Sequence, residues 1–154
     1  MEKYCYFSPN HYYLRKNKVE NKMAKIIDVS FPGGKRVDAL IGKTLIKTDQ
    51  SIKNGGEAAA PEPFQLFLAS IATCAGIYAL EFCQARKLSL EGLSLQMRCD
   101  MNAEVKRYIR MTIDLRLPEG FPEKLIPAII RSMNLCSVEK HIINAPEFVV
   151  KTTR

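Results

Sequence analysis

The stretch from Phe64 to Leu80 reads FQLFLASIATCAGIYAL and lies inside 18 consecutive uncharged residues bounded by Glu62 and Glu81. That length just reaches what a membrane-crossing helix needs. Gln65, Ser70, Thr73 and Gly76 interrupt it, however, and nothing else in the chain resembles a membrane anchor. A helix apolar all round is otherwise one buried in the middle of a soluble assembly. A chain of 154 residues can bury the core of one domain but struggles to cover such a helix on every side. Burial against the same helix of a second copy is the economical solution. Pro63 stands where a first helical turn tolerates proline, and Arg86-Lys87 place cations in the last turn.

Outward from this helix the texture is that of strands. Upstream, KIIDVSF from Lys25 alternates Ile27, Val29 and Phe31 with polar or smaller neighbours, Pro32-Gly33-Gly34 reads as a turn, and RVDALIG and KTLIKTD read as two short strands around Gly42. Gln50 to Pro63 is a loop holding Asn54-Gly55-Gly56. Downstream, Leu93, Leu95 and Met97 alternate with Ser94, Gln96 and Arg98, and Ile109, Met111, Ile113 and Leu115 with Arg110, Thr112, Asp114 and Arg116. These predict two long antiparallel strands, each with one wet face. Ile126, Ile129, Ile130, Met133 and Cys136 then recur at helical spacing in a helix starting near Pro122, followed by a short helical turn over 137–144 and a closing strand, FVVKT. The order is α+β rather than a strict strand–helix alternation. The domain runs over 24–154, and 1–23 is a tail or an extra strand.

Composition bounds the function. The 47% hydrophobic and 25% charged content is that of a soluble globular protein. Five cysteines are an odd number with no C-x-x-C, which disfavours a secreted disulfide scaffold and a zinc site with closely spaced ligand pairs. His11 and His141 have no metal-ligand spacing, so no metal is assigned. No secretory signal is visible, and a reducing cytoplasm is the expected compartment. The net charge of +7 is concentrated at the start: six Lys and Arg against Glu2 and Glu20 give residues 1–25 a charge of +4. A solvated tail explains this better than a nucleic-acid arm, although Tyr4, Tyr6, Tyr12 and Tyr13 are of the type that stacks on bases.

Cys74 sits mid-helix between Thr73 and Ala75, where a buried cysteine often simply fills space. The pattern around it points further. Pro63-Phe64-Gln65-Leu66-Phe67-Leu68-Ala69-Ser70-Ile71-Ala72-Thr73-Cys74, with Leu135-Cys136-Ser137-Val138-Glu139-Lys140 about sixty residues on, resembles the OsmC/Ohr family in both motifs, in their spacing and in the order of elements over about residues 25–153. The resemblance implies antiparallel sheets around two long central helices in an intertwined homodimer, with the active sites at the interface. It implies that Cys74 attacks a hydroperoxide O–O bond, that Cys136 condenses with the resulting sulfenic acid, and that an external dithiol reduces the disulfide without any bound cofactor. The chemistry makes sense of two cysteines: a thiolate is the nucleophile, and a nearby resolving thiol protects the sulfenic acid from over-oxidation.

The resemblance further implies an arginine from the N-terminal strands, for which Arg36 is the candidate, held by a glutamate. Here the chain departs: where many peroxidase members have Asn-Pro-Glu-Gln it has Glu62-Pro63-Phe64-Gln65, so Phe64 occupies the glutamate position and Glu62, or Glu57, is left to substitute. Phe64, Phe67 and Ile71 are the expected lining of an apolar substrate pocket. Cys5, Cys83 and Cys99 read as ordinary cysteines, Cys83 lying roughly 180° round the helix from Cys74. Three functions compete: a thiol peroxidase for organic hydroperoxides, a non-catalytic small-molecule-binding or stress-related protein favoured by Phe64, and a nucleic-acid-associated factor resting on the tail alone.

Overall fold

The structure, a computed structural model, describes residues 5–7 and 24–152. They fall into two compact units, one built from the residues up to Ala60 together with those from Asn144 on, the other from Pro61–Ile143. The expected tail over 1–23 lies outside the described residues except for Cys5–Phe7.

The first unit contains strands β1 (Cys5–Phe7), β2 (Ile27–Gly33), β3 (Arg36–Ile41) and β4 (Thr44–Ile46), with β7 (Phe148–Val150) at the end of the chain. β2, β3 and β4 form an antiparallel meander in that order, and β1 pairs antiparallel with β7. Gly33 and Gly34, with φ of 119° and 61°, make the tight turn between β2 and β3. Beyond β4 the chain is organised around one carboxylate. Asp49 is almost wholly buried. Its side chain accepts the backbone N–H of Gln50 at 2.8 Å, of Glu57 at 3.0 Å and of Ala59 at 3.1 Å. Burial opposes its charge, but the Ala59 N–H above all, then those of Gln50 and Glu57, hold the carboxyl below its ordinary range. The loop closes so tightly over Asp49 that a Cβ on Gly56 would stand 2.0 Å from the Gln50 carbonyl oxygen.

The second unit contains the long helix α1 (Pro63–Ala85), strands β5 (Ser94–Asn102) and β6 (Arg107–Arg116), and helices α2 (Ile126–Met133) and α3 (Ser137–Ile143). The start of α1 follows from its sequence. Glu62 caps the helix reciprocally with Gln65: the Glu62 side chain accepts the Gln65 N–H, and Gln65 Oε1 accepts the Glu62 N–H at 3.0 Å. At the other end Lys87 turns left-handed at φ 53°, and the N–H groups of Lys87 and Leu88 close back on Gln84 and Cys83. Arg86 lies over the Phe82 ring at 3.8 Å and donates to the Phe82 carbonyl.

One stripe of α1, formed by Ile71, Ala75, Ala79, Phe82 and Cys83, is buried. From Ala75 onward it packs with Ile129 and Met133 of α2, flanked by Leu95, Ile113 and Leu115 from the β5–β6 pair. Other apolar side chains of α1 are exposed among the described residues of its own unit: Phe64 is 52%, Phe67 38% and Ile77 44% exposed. α1 is also long and apolar enough to cross a membrane by length and composition.

Two expectations from periodicity need amending. The alternation over Ile109–Leu115 breaks at its start, because a bulge pairs Asp100 with Arg110 but Met101 with Tyr108. Ile109 becomes the extra residue and is exposed, while Tyr108 turns half-buried. The helix read through to Cys136 instead ends at Met133, after which Leu135 and Cys136 donate to the carbonyls of Ser132 and Met133 and the chain restarts as α3.

Candidate functional site

The restart at α3 brings the two singled-out cysteines together. Cys136 precedes α3, and its sulfur accepts the Glu139 N–H at 3.5 Å while its carbonyl accepts that of Lys140 at 3.2 Å. It therefore acts as the cap of this short helix, and it is buried. Cys74, half-buried on α1, faces the same residues. Ser137 Oγ lies 3.6 Å from Cys74 Sγ. Partial burial opposes ionisation of Cys74, but the Cys136 thiol, the Val138 N–H and the hydroxyl and N–H of Ser137 all hydrogen-bond it and outweigh that cost, bringing its pKa down to about 7.

Cys136 goes the other way. Burial pushes its thiol up, and the neighbouring Cys74 adds to the rise. Charge thus settles on Cys74, with Cys136 as a proton-bearing donor beside it. Cys83 is the contrasting case: completely buried in the core, with its thiol pushed up by desolvation. A space-filling cysteine and a chemically prepared one stand nine residues apart on the same helix.

The remaining candidates separate. Ile71 is buried in the α1 stripe, whereas Phe64 and Phe67 are exposed near the start of the helix. Phe64 packs against Phe67 with ring centroids 5.3 Å apart and stacks on Tyr108 at 5.7 Å. A cavity of about 280 Å³ is lined by Ala75, Ile113, Leu115, Ile129, Met133 and Glu139 among others, and by none of Phe64, Phe67 and Ile71. It adjoins the cysteine pair through Ala75, next to Cys74, and Glu139, whose N–H reaches Cys136.

In the first unit Arg36 forms an ion pair with Glu57. Glu62, offered with Glu57 as a substitute for the family's glutamate, caps α1. Glu57 is positioned for Arg36 because its own N–H is tied to Asp49, a carboxylate that sequence reasoning passed over. Ser137 was also unmarked by sequence beyond its place in the second motif; a serine directly after Cys136 at a helix start is the signal that was available. Among the described residues no group of three or more His, Cys, Asp or Glu side chains gathers to hold a metal ion.

A free cysteine on one long apolar helix, facing a second free cysteine at the start of a short helix on an α+β scaffold, is an arrangement suited to thiol chemistry. The sequence model of the OsmC-like protein family matches residues 55–151, more than half of the chain, and the chain belongs to this family. It is similar in fold to an osmotic stress induced and detoxification response protein of Psychrobacter arcticus 273-4, at 21% identity and a TM-score of 0.64 over 77% of this chain and 87% of the other. It is similar also to an organic hydroperoxide resistance protein OsmC of Legionella pneumophila, at 20% identity and 0.52 over 79% and 90%. A hypothetical protein of Aquifex aeolicus VF5 matches at 15% identity and 0.57 over 80% and 89%. No curated protein is similar enough to count as a match.

The environment of Cys74 has a direct readout. Alkylation by iodoacetamide, followed peptide by peptide, should show Cys74 reacting with a midpoint near pH 7 while Cys83 stays unreactive in the folded protein. A Cys74 midpoint at the value of a free thiol, ~8.5, contradicts the hydrogen-bonded thiolate described above.

Proposed function

We propose that this protein is a thiol-dependent peroxidase that reduces organic hydroperoxides through Cys74 and Cys136. The observation that supports it best is the asymmetry of the pair: Cys74 is held near neutrality as a thiolate by donors that include the Cys136 thiol, while Cys136 keeps its proton. The Cys74 thiolate attacks the terminal oxygen of the hydroperoxide and the O–O bond breaks. Sulfur is oxidised to the sulfenic acid, and the departing alkoxide takes a proton from water to leave as the alcohol. Once Cys74 is uncharged, its share in raising the Cys136 pKa disappears. Cys136 then releases its proton and attacks the Cys74 sulfur, hydroxide leaves as water, and the disulfide forms. An external dithiol restores both thiols by two exchanges, which suits a reducing compartment such as the cytoplasm.

The apolar cavity beside Ala75 is the proposed place for the organic part of the substrate. Arg36 enters the proposal on the family resemblance, as a second influence on the thiolate. An Arg36→Ala variant whose Cys74 alkylation midpoint is unchanged removes it from this role. Phe64, stacked on Tyr108 at the position where the family resemblance places a glutamate in many peroxidase members, favours a second reading in which the scaffold binds a small molecule without turnover.

One experiment separates the two. Stoichiometric cumene hydroperoxide should produce a Cys74–Cys136 disulfide, located by peptide mapping. Cys136→Ser should react once and accumulate sulfenic or more oxidised Cys74, and Cys74→Ser should not react. Survival of every thiol in the wild type, or prior oxidation of Cys83 or Cys99, rejects the peroxidase and leaves the binding protein.

A homodimer is part of the same proposal. α1 carries Phe64, Phe67 and Ile77 only partly covered, and burying what remains exposed of each contributes a fraction of the about 1.5–3 kcal/mol that full burial of such a side chain is worth. Two chains packed through α1 should bury more than a standard interface of ~1,600 Å² and sediment as a dimer at low micromolar concentration. A folded monomer under those conditions contradicts the assembly.

A further inference from the structure

We infer that Ser137 is a catalytic residue, its hydroxyl donating a hydrogen bond to the Cys74 sulfur so that the attacking thiolate persists at neutral pH. Its Oγ stands 3.6 Å from Cys74 Sγ, a normal reach for a hydrogen bond to sulfur, and both side chains are accessible to a substrate. A neutral thiol gains little from such a donor, whereas a thiolate gains a charge-assisted bond.

The serine and threonine hydroxyls of α1 are already committed. Thr73 Oγ1 donates to the Ala69 carbonyl at 2.8 Å and Ser70 Oγ to the Phe67 carbonyl at 2.7 Å. On α2, Ser132 Oγ donates to the Tyr78 carbonyl. Among the described residues, Ser137 Oγ is the hydroxyl within hydrogen-bond reach of Cys74 Sγ. It is also fixed in place: its carbonyl accepts His141 Nδ1–H at 2.6 Å, one turn further along α3.

The elements packed against α1 carry further titratable or charged groups: Glu139, Lys140 and His141 on α3, Arg131 on α2, and Arg98, Cys99 and Asp100 on β5. The principal influences on Cys74 come instead from its partial burial, from Cys136, and from the hydrogen-bonding groups of Val138 and Ser137.

During attack the negative charge passes from Cys74 sulfur to the departing alkoxide oxygen. The Ser137 hydroxyl rotates to follow it and keeps its own proton throughout, water supplying the proton that completes the alcohol. The role of Ser137 in turnover rests on the peroxidase reading; its hold on the thiolate does not.

The test compares Ser137→Ala and the near-isosteric pair Ser137→Thr and Ser137→Val, with Ser132→Ala as the control outside the site. The pH dependence of Cys74 alkylation is read by mass spectrometry, and the rate of hydroperoxide consumption is read in parallel. Loss of the hydroxyl in the Ala and Val variants should move the alkylation midpoint up by about one pH unit, a tenfold change in the ionisation constant. Hydroperoxide consumption at neutral pH should fall severalfold. Thr should restore both, and Ser132→Ala should leave the midpoint unmoved. If Thr and Val titrate alike, the hydroxyl does not hold the thiolate and the role of Ser137 falls, even where the wild type turns over. If the midpoint shifts but the wild type consumes no hydroperoxide, the catalytic role falls together with the peroxidase reading, and Ser137 keeps only its hold on the thiolate.

Discussion

A helix without a charge for about five turns has to be covered, and most of the second unit follows from how α1 meets that demand. Its stripe of Ile71, Ala75, Ala79, Phe82 and Cys83 is closed over from within the chain, chiefly by Ile129 and Met133 of α2 and flanking residues of the β5–β6 pair. Small residues at positions 75 and 79 let these neighbours approach closely. The remaining apolar face is left open, which is the physical ground for proposing a second copy. The same packing carries α2 past the middle of α1, so that the break after Met133 delivers Cys136 and Ser137 opposite Cys74. The site is thus a by-product of covering the helix.

What distinguishes the site from the rest of the thiols is the direction in which each environment pushes. At Cys83 desolvation outweighs the opposing influence of the Arg86 charge, and its thiol is pushed up. Cys74 meets a smaller cost of the same kind, and hydrogen-bond donors gathered at the start of α3 reverse it. No formal cation is needed for that reversal within the second unit. In the first unit the Arg36–Glu57 pair depends on a different arrangement, a loop folded back onto Asp49. Phe64 fits this division: it serves aromatic packing on Tyr108.

Much of the architecture was legible from period and punctuation. Alternation gave β2 and most of the β5–β6 pair, Pro63 and Arg86-Lys87 framed α1, and the family followed from the two cysteine motifs. The misreadings have local causes. Ile109 continues the alternating pattern in composition, so nothing in the sequence betrays the bulge that turns it outward. Cys136 continues the apolar spacing of Ile129 and Met133, so the end of α2 is hidden by the very residue that caps the next helix. Glu57 and Arg36 are 21 residues apart and meet through a loop whose shape is set by a buried carboxylate, a contact no short-range pattern encodes. The pKa of Cys74 depends on N–H and O–H groups about sixty residues away, and so the resemblance could name the cysteine but not its donors.

Steady-state consumption of an organic hydroperoxide driven by a dithiol, measured for the wild type beside Cys74→Ser, bears most directly on the proposed reaction. The account predicts sustained turnover by the wild type, background rates for Cys74→Ser, and a weaker drive from a monothiol than from a dithiol. Equal rates for the two proteins, or a wild type that leaves the hydroperoxide untouched with all its thiols reduced, would contradict it.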